Sequence, residues 1–255
     1  MGPLGLAGQV GLARTVARRA AFVFATIALC GLTAPPILPA PQAQTSAKPP
    51  PRPKLFAPQD LGLLEGPDRE DWQKPDLIMD ALRIAEGSVV ADLGAGGGWF
   101  SVRLARRVGP RGRVWAEDIQ PQMLDAIRGR VDRENLSNVA TVLGTADDPR
   151  LPPGIDAALI VGSFHEMQFD ESGKRRDPVV LLRNIARSPK PQGRLGVVDF
   201  LPGAGGPGPD ADQRVDPQSA IRAAAAAGLL FIRREDVPPF EFLLIFGRSS
   251  GRGSP

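Results

Sequence analysis

The chain has 255 residues, with one cysteine, one histidine, no tyrosine and a formal net charge of +3. That length is ample for one large core. Cys30 lies in an N-terminal leader and His165 is the only histidine, which excludes from the body a disulfide framework, a thiolate metal site, a cysteine nucleophile and a multi-histidine metal site. The positive charge is local. Residues 1–59 hold six basic residues and no acid, leaving 25 basic against 28 acidic residues beyond, a net of −3. A mildly acidic body argues against a nucleic-acid-binding surface.

Arg14, Arg18 and Arg19 precede a nearly apolar run from Ala20 to Leu32, followed by Pro35, Pro36, Pro39 and Pro41. A basic segment, a short apolar core and a breaker form a secretory pattern. The run is shorter than the ~20 apolar residues of a membrane span. Residues 1–40 are therefore expected to be a signal peptide or membrane-anchor leader, placing the protein outside the cytoplasm or on a membrane. Other readings stay open: a lipoprotein box at Ile27-Ala28-Leu29-Cys30, a twin-arginine signal at Arg18-Arg19, a mitochondrial transit peptide, or an extension on a cytoplasmic protein. Residues 41–62 are rich in proline and read as a disordered linker. The folded domain is expected over 63–248, with a disordered tail at 249–255.

Within the body, Pro75–Ala85 carries apolar residues at Leu77, Ile78, Leu82 and Ile84 and predicts a helix. Val89–Leu93 predicts a strand and Trp99–Val108 a helix. Arg113–Glu117 is the next strand. A helix from Pro121 follows, with Met123, Leu124, Ile127 and Val131 on one face. Val139–Leu143 and Ala157–Val161 are short apolar strands, Pro178–Arg187 a helix capped by Asp177, and Arg194–Val198 a strand. Asp216 and Gly228 bound a helix over Pro217–Ala227. Leu229–Arg233 and Phe240–Phe246 close the series. Strands alternating with helices imply an α/β fold with a parallel sheet covered on both faces.

The most informative stretch is Asp92-Leu93-Gly94-Ala95-Gly96-Gly97-Gly98-Trp99, where a strand meets a helix through alternate glycines. Such a turn admits a ligand close to the backbone, and the helix start offers unpaired N–H groups. The dinucleotide fingerprint Gly-x-Gly-x-x-Gly fails in either frame, because Trp99 or Ser101 takes its last place. An NAD-dependent oxidoreductase is disfavoured accordingly.

The pattern Asp-x-Gly-x-Gly-x-Gly resembles the first motif of class I S-adenosylmethionine (SAM) methyltransferases, and the likeness extends over about residues 65–247. It implies a doubly wound, Rossmann-like seven-stranded sheet, mostly parallel with a reversed edge strand. It also implies SAM as cofactor, held by Asp92, Gly94, Ala95, Gly96, Gly98 and Ser163. In similar enzymes an acid ending the second strand binds the ribose hydroxyls. Asp118 matches that place better than Glu117, and Ile119 would pack on the adenine. The family's adenine-binding acid falls on Asp147, since Thr145 stands where an aspartate often follows the glycine. His165, ending the fourth strand, is the candidate catalytic proton acceptor. Glu166 and Asp199 are candidate substrate contacts. Trp72-Gln73 would close over the cofactor, or Trp72 would pack on the core.

Plainer roles remain open for three of these residues: a turn-capping acid at Asp92, an exposed helix-preceding acid at Asp118, and a structural cap at His165. The likeness is closest to bacterial small-molecule methyltransferases of the type that includes quinone-biosynthesis and arsenite-methylating enzymes. Arsenite chemistry needs thiolates, and the body has none. The expected partner is a small-molecule methyl acceptor, with no nucleic acid, no metal, and membrane association through the leader. A non-catalytic SAM-binding envelope protein is the alternative.

Overall fold

The computed structural model describes residues 55–169, 174–203 and 205–248. The leader with Cys30, the linker up to residue 54 and the tail 249–255 lie outside the described residues. A 3-10 helix (Pro58–Leu64) comes first, then α1 (Arg69–Gln73) and α2 (Pro75–Ala81). Next come β1 (Val89–Leu93), α3 (Trp99–Val108), β2 (Arg113–Asp118), α4 (Pro121–Arg133), β3 (Val139–Leu143) and β4 (Ile155–Val161). The chain ends with α5 (Val179–Ile185), β5 (Pro189–Phe200), α6 (Pro217–Ala226), β6 (Leu229–Val237) and β7 (Glu241–Arg248).

All seven strands share one sheet in the order β3-β2-β1-β4-β5-β7-β6. The first five are parallel, and β7 runs antiparallel between β5 and β6. The expected Rossmann-like α/β sheet is present. Its reversed strand belongs to the closing β6–β7 hairpin and is inserted inside β6. The chain returns from β3 to β4, beside β1, so the strand order switches at the β1/β4 boundary. Ligands in open parallel sheets bind beyond the carboxyl ends of strands at such a switch.

Residues on successive strand positions pack in opposite directions. Val90, Leu159, Val198 and Ile245 join a core with residues of α2 and α3. Ala91, Ile160, Val197 and Leu244 join another with α5 and α6. Burial on both faces explains why these strands read as continuous apolar runs rather than alternating ones. Each such Leu, Ile or Val contributes ~1.5–3 kcal/mol when fully buried. On α4, Leu124, Ile127 and Val131 pack with Ala116 of β2, the helical spacing read from sequence.

Several boundaries depart from the sequence reading: β5 begins at Pro189 rather than Arg194, and β6 runs to Val237 rather than Arg233. The helix α2 ends at Ala81, four residues early. Arg83 takes a positive φ of 60°, and the Ile84 N–H turns back to the Met79 carbonyl, so buried Ile84 belongs to a turn. The proline-rich linker was expected to reach residue 62, yet residues 55–65 sit on the body. Phe56, Leu61 and Leu64, spaced between the prolines, give this segment an apolar side to lay on a cleft.

Candidate active site

After β1 the backbone takes positive φ at Gly94 (65°), Gly96 (53°) and Gly98 (77°), the region where a Cβ is strained. Space is also short at Gly94, where a Cβ would stand 2.8 Å from Ser163 Oγ and 2.9 Å from Met167 Cε. The β4 end is thereby held against the glycine turn. The turn's amides point at β2: Gly94 N–H donates to Glu117 Oε2 (3.3 Å), Ala95 N–H to the Glu117 carbonyl (2.9 Å), and Gly96 N–H to Asp118 Oδ2 (3.0 Å). Gly94, Ala95, Gly96 and Gly97 line the cleft. Gly98, expected to hold cofactor, is not among the residues that line the cleft. It caps α3, and a Cβ there would meet Ile127 Cγ1 of α4 at 3.1 Å, so its smallness serves helix packing.

Three carboxylates gather around this turn. Asp92 is buried and accepts a 2.6 Å hydrogen bond from Ser101 Oγ, so it does fix the start of α3, and it also lines the cleft. Burial pushes it up to about 6 against the pull of the Ser101 hydrogen bond and of Arg69. Glu117 is pushed up to about 8 by burial and by neighbouring Asp118. Its carboxylate occupies the space a Cβ at Gly144 would fill, which is why glycine follows β3. Burial raises Asp118 as well, against the N–H groups of Gln120, Gly96 and Ile119. Asp118 is buried rather than exposed, and with Ile119 it lines the cleft.

At the β4 end, Gly162 and Ser163 lead into a 3-10 turn (Glu166–Gln168) preceded by His165. Ser163, His165, Glu166 and Met167 line the cleft. Asp199 does not. It is fully buried on β5 behind His165, where it accepts from His165 N–H (2.9 Å) and Phe200 N–H (2.8 Å) and faces His165 Nδ1 at 3.1 Å. The expected substrate contact is therefore the partner of the histidine. Nε2 of His165 lies 3.9 Å from Glu166 Oε1. Burial lowers the imidazole, but Asp199 and Glu166 outweigh it and the net direction is upward.

Asp147 is the third correction. Its carboxylate pairs with Arg176 at the surface, and the cleft wall at this point is Thr145 and Ala146. A turn closed by Thr145 N–H to Asp148 O (2.8 Å) and Asp148 N–H to Thr145 Oγ1 (3.0 Å) presents those two residues instead.

The cleft has a volume of about 670 Å³, within the ~300–1,000 Å³ of small-molecule sites. Its N-terminal wall is the segment 55–65. Gln120 Nε2 donates to the Phe56 carbonyl (3.0 Å), the Phe56 N–H bonds Glu166, and Glu65 pairs with Arg130. Arg69 of α1 lies over the Trp99 ring at 4.3 Å and donates to Gln73 Oε1 (2.9 Å) and the Leu64 carbonyl (2.6 Å). Burial lowers its guanidinium to about 10. Gln73 in turn donates to both oxygens of Glu241 at 2.7 Å. Trp72 both lines the cleft and packs on Phe200 and Phe240.

Sequence reasoning missed Gly97, Glu117, Arg69 and the wall 55–65. Gly97 and Glu117 were visible beside the motif residues, whereas nothing in Arg69-Glu70-Asp71-Trp72 marks which charge turns inward.

A seven-stranded Rossmann-like sheet with an acid-flanked glycine turn at its switch point defines the class I methyltransferase fold. Residues 90–193 match the family model described as "Methyltransferase domain", which is consistent with the class I SAM-dependent methyltransferase family. It is 30% identical over 144 residues to an arsenite methyltransferase of Halobacterium salinarum, covering 56% of this chain and 34% of that protein. It is 28% identical over 130 residues to a demethylmenaquinone methyltransferase of Listeria welshimeri, covering 50% of each. The chain thus spans a third to a half of the length of these curated relatives. A SAM-dependent methyltransferase structure from Aquifex aeolicus superposes with a TM-score of 0.69 at 24% identity, covering 75% of this chain and 98% of that one, and shows the shared fold.

Proposed function

We propose that the cleft binds SAM and that the protein transfers its methyl group to a small-molecule acceptor. The observation that carries this reading is the charge of the cleft. Seven carboxyl groups line it, three of them at the strand ends around the glycine turn, against two guanidiniums, Arg69 and Arg176. With Glu117, pushed to about 8, largely neutral at pH 7, acids still outnumber cations. A pyrophosphate would be repelled there. SAM carries a sulfonium and an ammonium against a single carboxylate, and is attracted. Gly94, Ala95, Gly96 and Gly97 leave room for it at the backbone, Asp118 suits the ribose hydroxyls because a carboxylate accepts two hydrogen bonds, and Ile119, Thr145 and Ala146 suit the adenine. Asp92 and Arg69 offer opposite charges for its amino-acid end.

When bound, SAM supplies a methyl carbon already activated by positive sulfur, open to in-line displacement. The chain's own contribution is then position and exclusion of water, provided by the wall 55–65 and by Trp72. The thiols that arsenite chemistry requires are absent from the body, since Cys30 is the only cysteine. An export or membrane-anchoring leader remains part of the proposal, tested by fractionating cells that express the full chain.

Calorimetric titration of the full chain with SAM and with S-adenosylhomocysteine tests the reading. Saturable binding of both is expected, weakened ~10–100-fold in Asp118→Asn, the range set by a hydrogen bond to a charged group. Absence of SAM binding would overturn it. Binding without methyl transfer to any component of a metabolite extract would favour the non-catalytic alternative.

A further inference from the structure

We propose that the methyl acceptor is a ring-bearing, apolar molecule with a phenol-type hydroxyl, and that His165, positioned by Asp199, takes the hydroxyl proton as the methyl group is transferred. This rests on the methyl-transfer reading above.

The direction of the imidazole follows from hydrogen-bond accounting. Asp199 is fully buried, and its carboxylate already accepts from the N–H groups of His165 and Phe200. A carboxylate only accepts. The Nδ1 atom that faces it at 3.1 Å must therefore carry the hydrogen, and Nε2 of the neutral ring keeps its lone pair. Nε2 lies on the side of Glu166, and both residues line the cleft. Asp199 is thus a positioning residue, while His165 is the group that meets the acceptor.

The surroundings select the acceptor. Phe200 stands edge-on to the imidazole with ring centroids 6.4 Å apart, and Trp72 lies 6.1 Å from Phe200. Phe56, Met167, Phe169 and Leu181 complete an apolar wall suited to a flat ring. Ser163 and Met167 hold this wall against Gly94, so it adjoins the glycine turn. A neutral hydroxyl is a weak nucleophile and benefits from a base. A phenol, with a reference pKa of ~10, gives up its proton to imidazole far more readily than an aliphatic alcohol does. The hydroxyl oxygen forms the new O–CH3 bond as the methyl–sulfur bond breaks, that bond's electron pair goes to sulfur, and the hydroxyl proton goes to Nε2. The imidazolium then releases the proton to solvent.

The charged groups facing the ring are Asp199 from β5, Glu166 from its own turn and Arg214 from the loop before α6. The two carboxylates raise the imidazole, while burial and Arg214 lower it, and the net direction is upward.

Because the chain has one histidine, imidazole NMR of the full chain reads this side chain without ambiguity and without an acceptor. The expected result is a titration midpoint above the ordinary imidazole value and, at pH above that midpoint, a neutral ring in the Nδ1–H form. In Asp199→Asn the midpoint falls and the two tautomers mix. With SAM present, 1-naphthol should be methylated, followed as S-adenosylhomocysteine formed. Turnover should fall ~10²-fold or more in His165→Gln with SAM affinity kept, and its acid limb should follow the NMR midpoint. His165→Gln leaves both backbone hydrogen bonds of Asp199 in place, so it decides the matter where Asp199→Asn fails to fold.

An Nε2–H ring in the wild type, or unchanged naphthol turnover in His165→Gln, overturns the proposal. So does methylation of 1-naphthylamine with none of 1-naphthol, or methylation of neither by a chain that binds SAM. Failure to bind SAM at all strikes instead at the methyl-transfer reading.

Discussion

At the β1–β2 end of the cleft, Asp92, Glu117 and Asp118 crowd around a glycine turn, where Asp118 raises both of the others, whereas at the β4–β5 end Asp199 faces an imidazole. Both ends place buried carboxylates where strands stop. The first set is raised by burial, with like charge added at Asp92 and Glu117, and Arg69 acts on Asp92 without offsetting its burial. At the second, Asp199 is matched by two backbone N–H groups and a ring nitrogen. A set of carboxylates short of positive charge suits a cationic ligand. A carboxylate matched by an imidazole suits the handling of a proton.

The sharpest way to break this comparison is to exchange the consequences of the two ends. His165→Gln should lower turnover ~10²-fold or more at constant SAM affinity. Asp118→Asn should weaken SAM affinity ~10–100-fold while turnover at saturating SAM stays near wild type. Calorimetry together with steady-state rates checks both, and equal losses in affinity and turnover for either variant would dissolve the distinction.

A smaller effect concerns pH. Glu117 and Glu241 are pushed to about 8 from 4.5, and Asp92 to about 6 from 3.8. For these groups the folded chain binds more protons than the unfolded chain between about pH 4 and pH 8. Their contribution to stability is full at the acid side and is lost as pH rises through the folded values. The raised imidazole of His165 acts in the same direction. Melting temperature should therefore fall from pH 5 to pH 8. Glu241→Gln should flatten part of that fall. Saturating SAM should flatten the part due to Glu117 and Asp92 and leave the Glu241 part, because Glu241 is buried behind Gln73 and does not line the cleft. A stability that rises across this range would contradict the burial assigned to these carboxylates.

The smallest effect sharpens the boundary of the first end. Asp147→Asn should change SAM affinity by less than about twofold, as expected for removing an exposed ion pair. A tenfold loss in calorimetry would return Asp147 to the adenine site.

Much of the fold was legible because its signals are local. The strand–glycine–helix junction at Val89–Val108, the amphipathic face of α4 and the Asp216 cap of α6, which accepts from the N–H groups of Gln218 and Ser219, are each written within a few residues. The helix predicted to Ala85 shows the limit of periodicity. Ile84 is apolar and buried, but a turn buries it as well as a helix would.

Sequence by itself determined the glycine-turn end of the cleft: Asp92, the glycines and Asp118 lie within 27 residues on two adjacent parallel strands, and the pattern of a close-approach turn is written into them. Only the tertiary structure decided what stands behind and in front of it. Asp199 and Asp147 look equivalent in sequence, each an acid just beyond an apolar strand. Pairing of β4 with β5 buries Asp199 behind His165, whereas a surface turn delivers Asp147 to Arg176. The wall 55–65 and Arg69 likewise depend on contacts between segments far apart in the chain. Orientation of a side chain at a strand end is set by its neighbours in the sheet, and those neighbours are chosen by the packing of the whole domain.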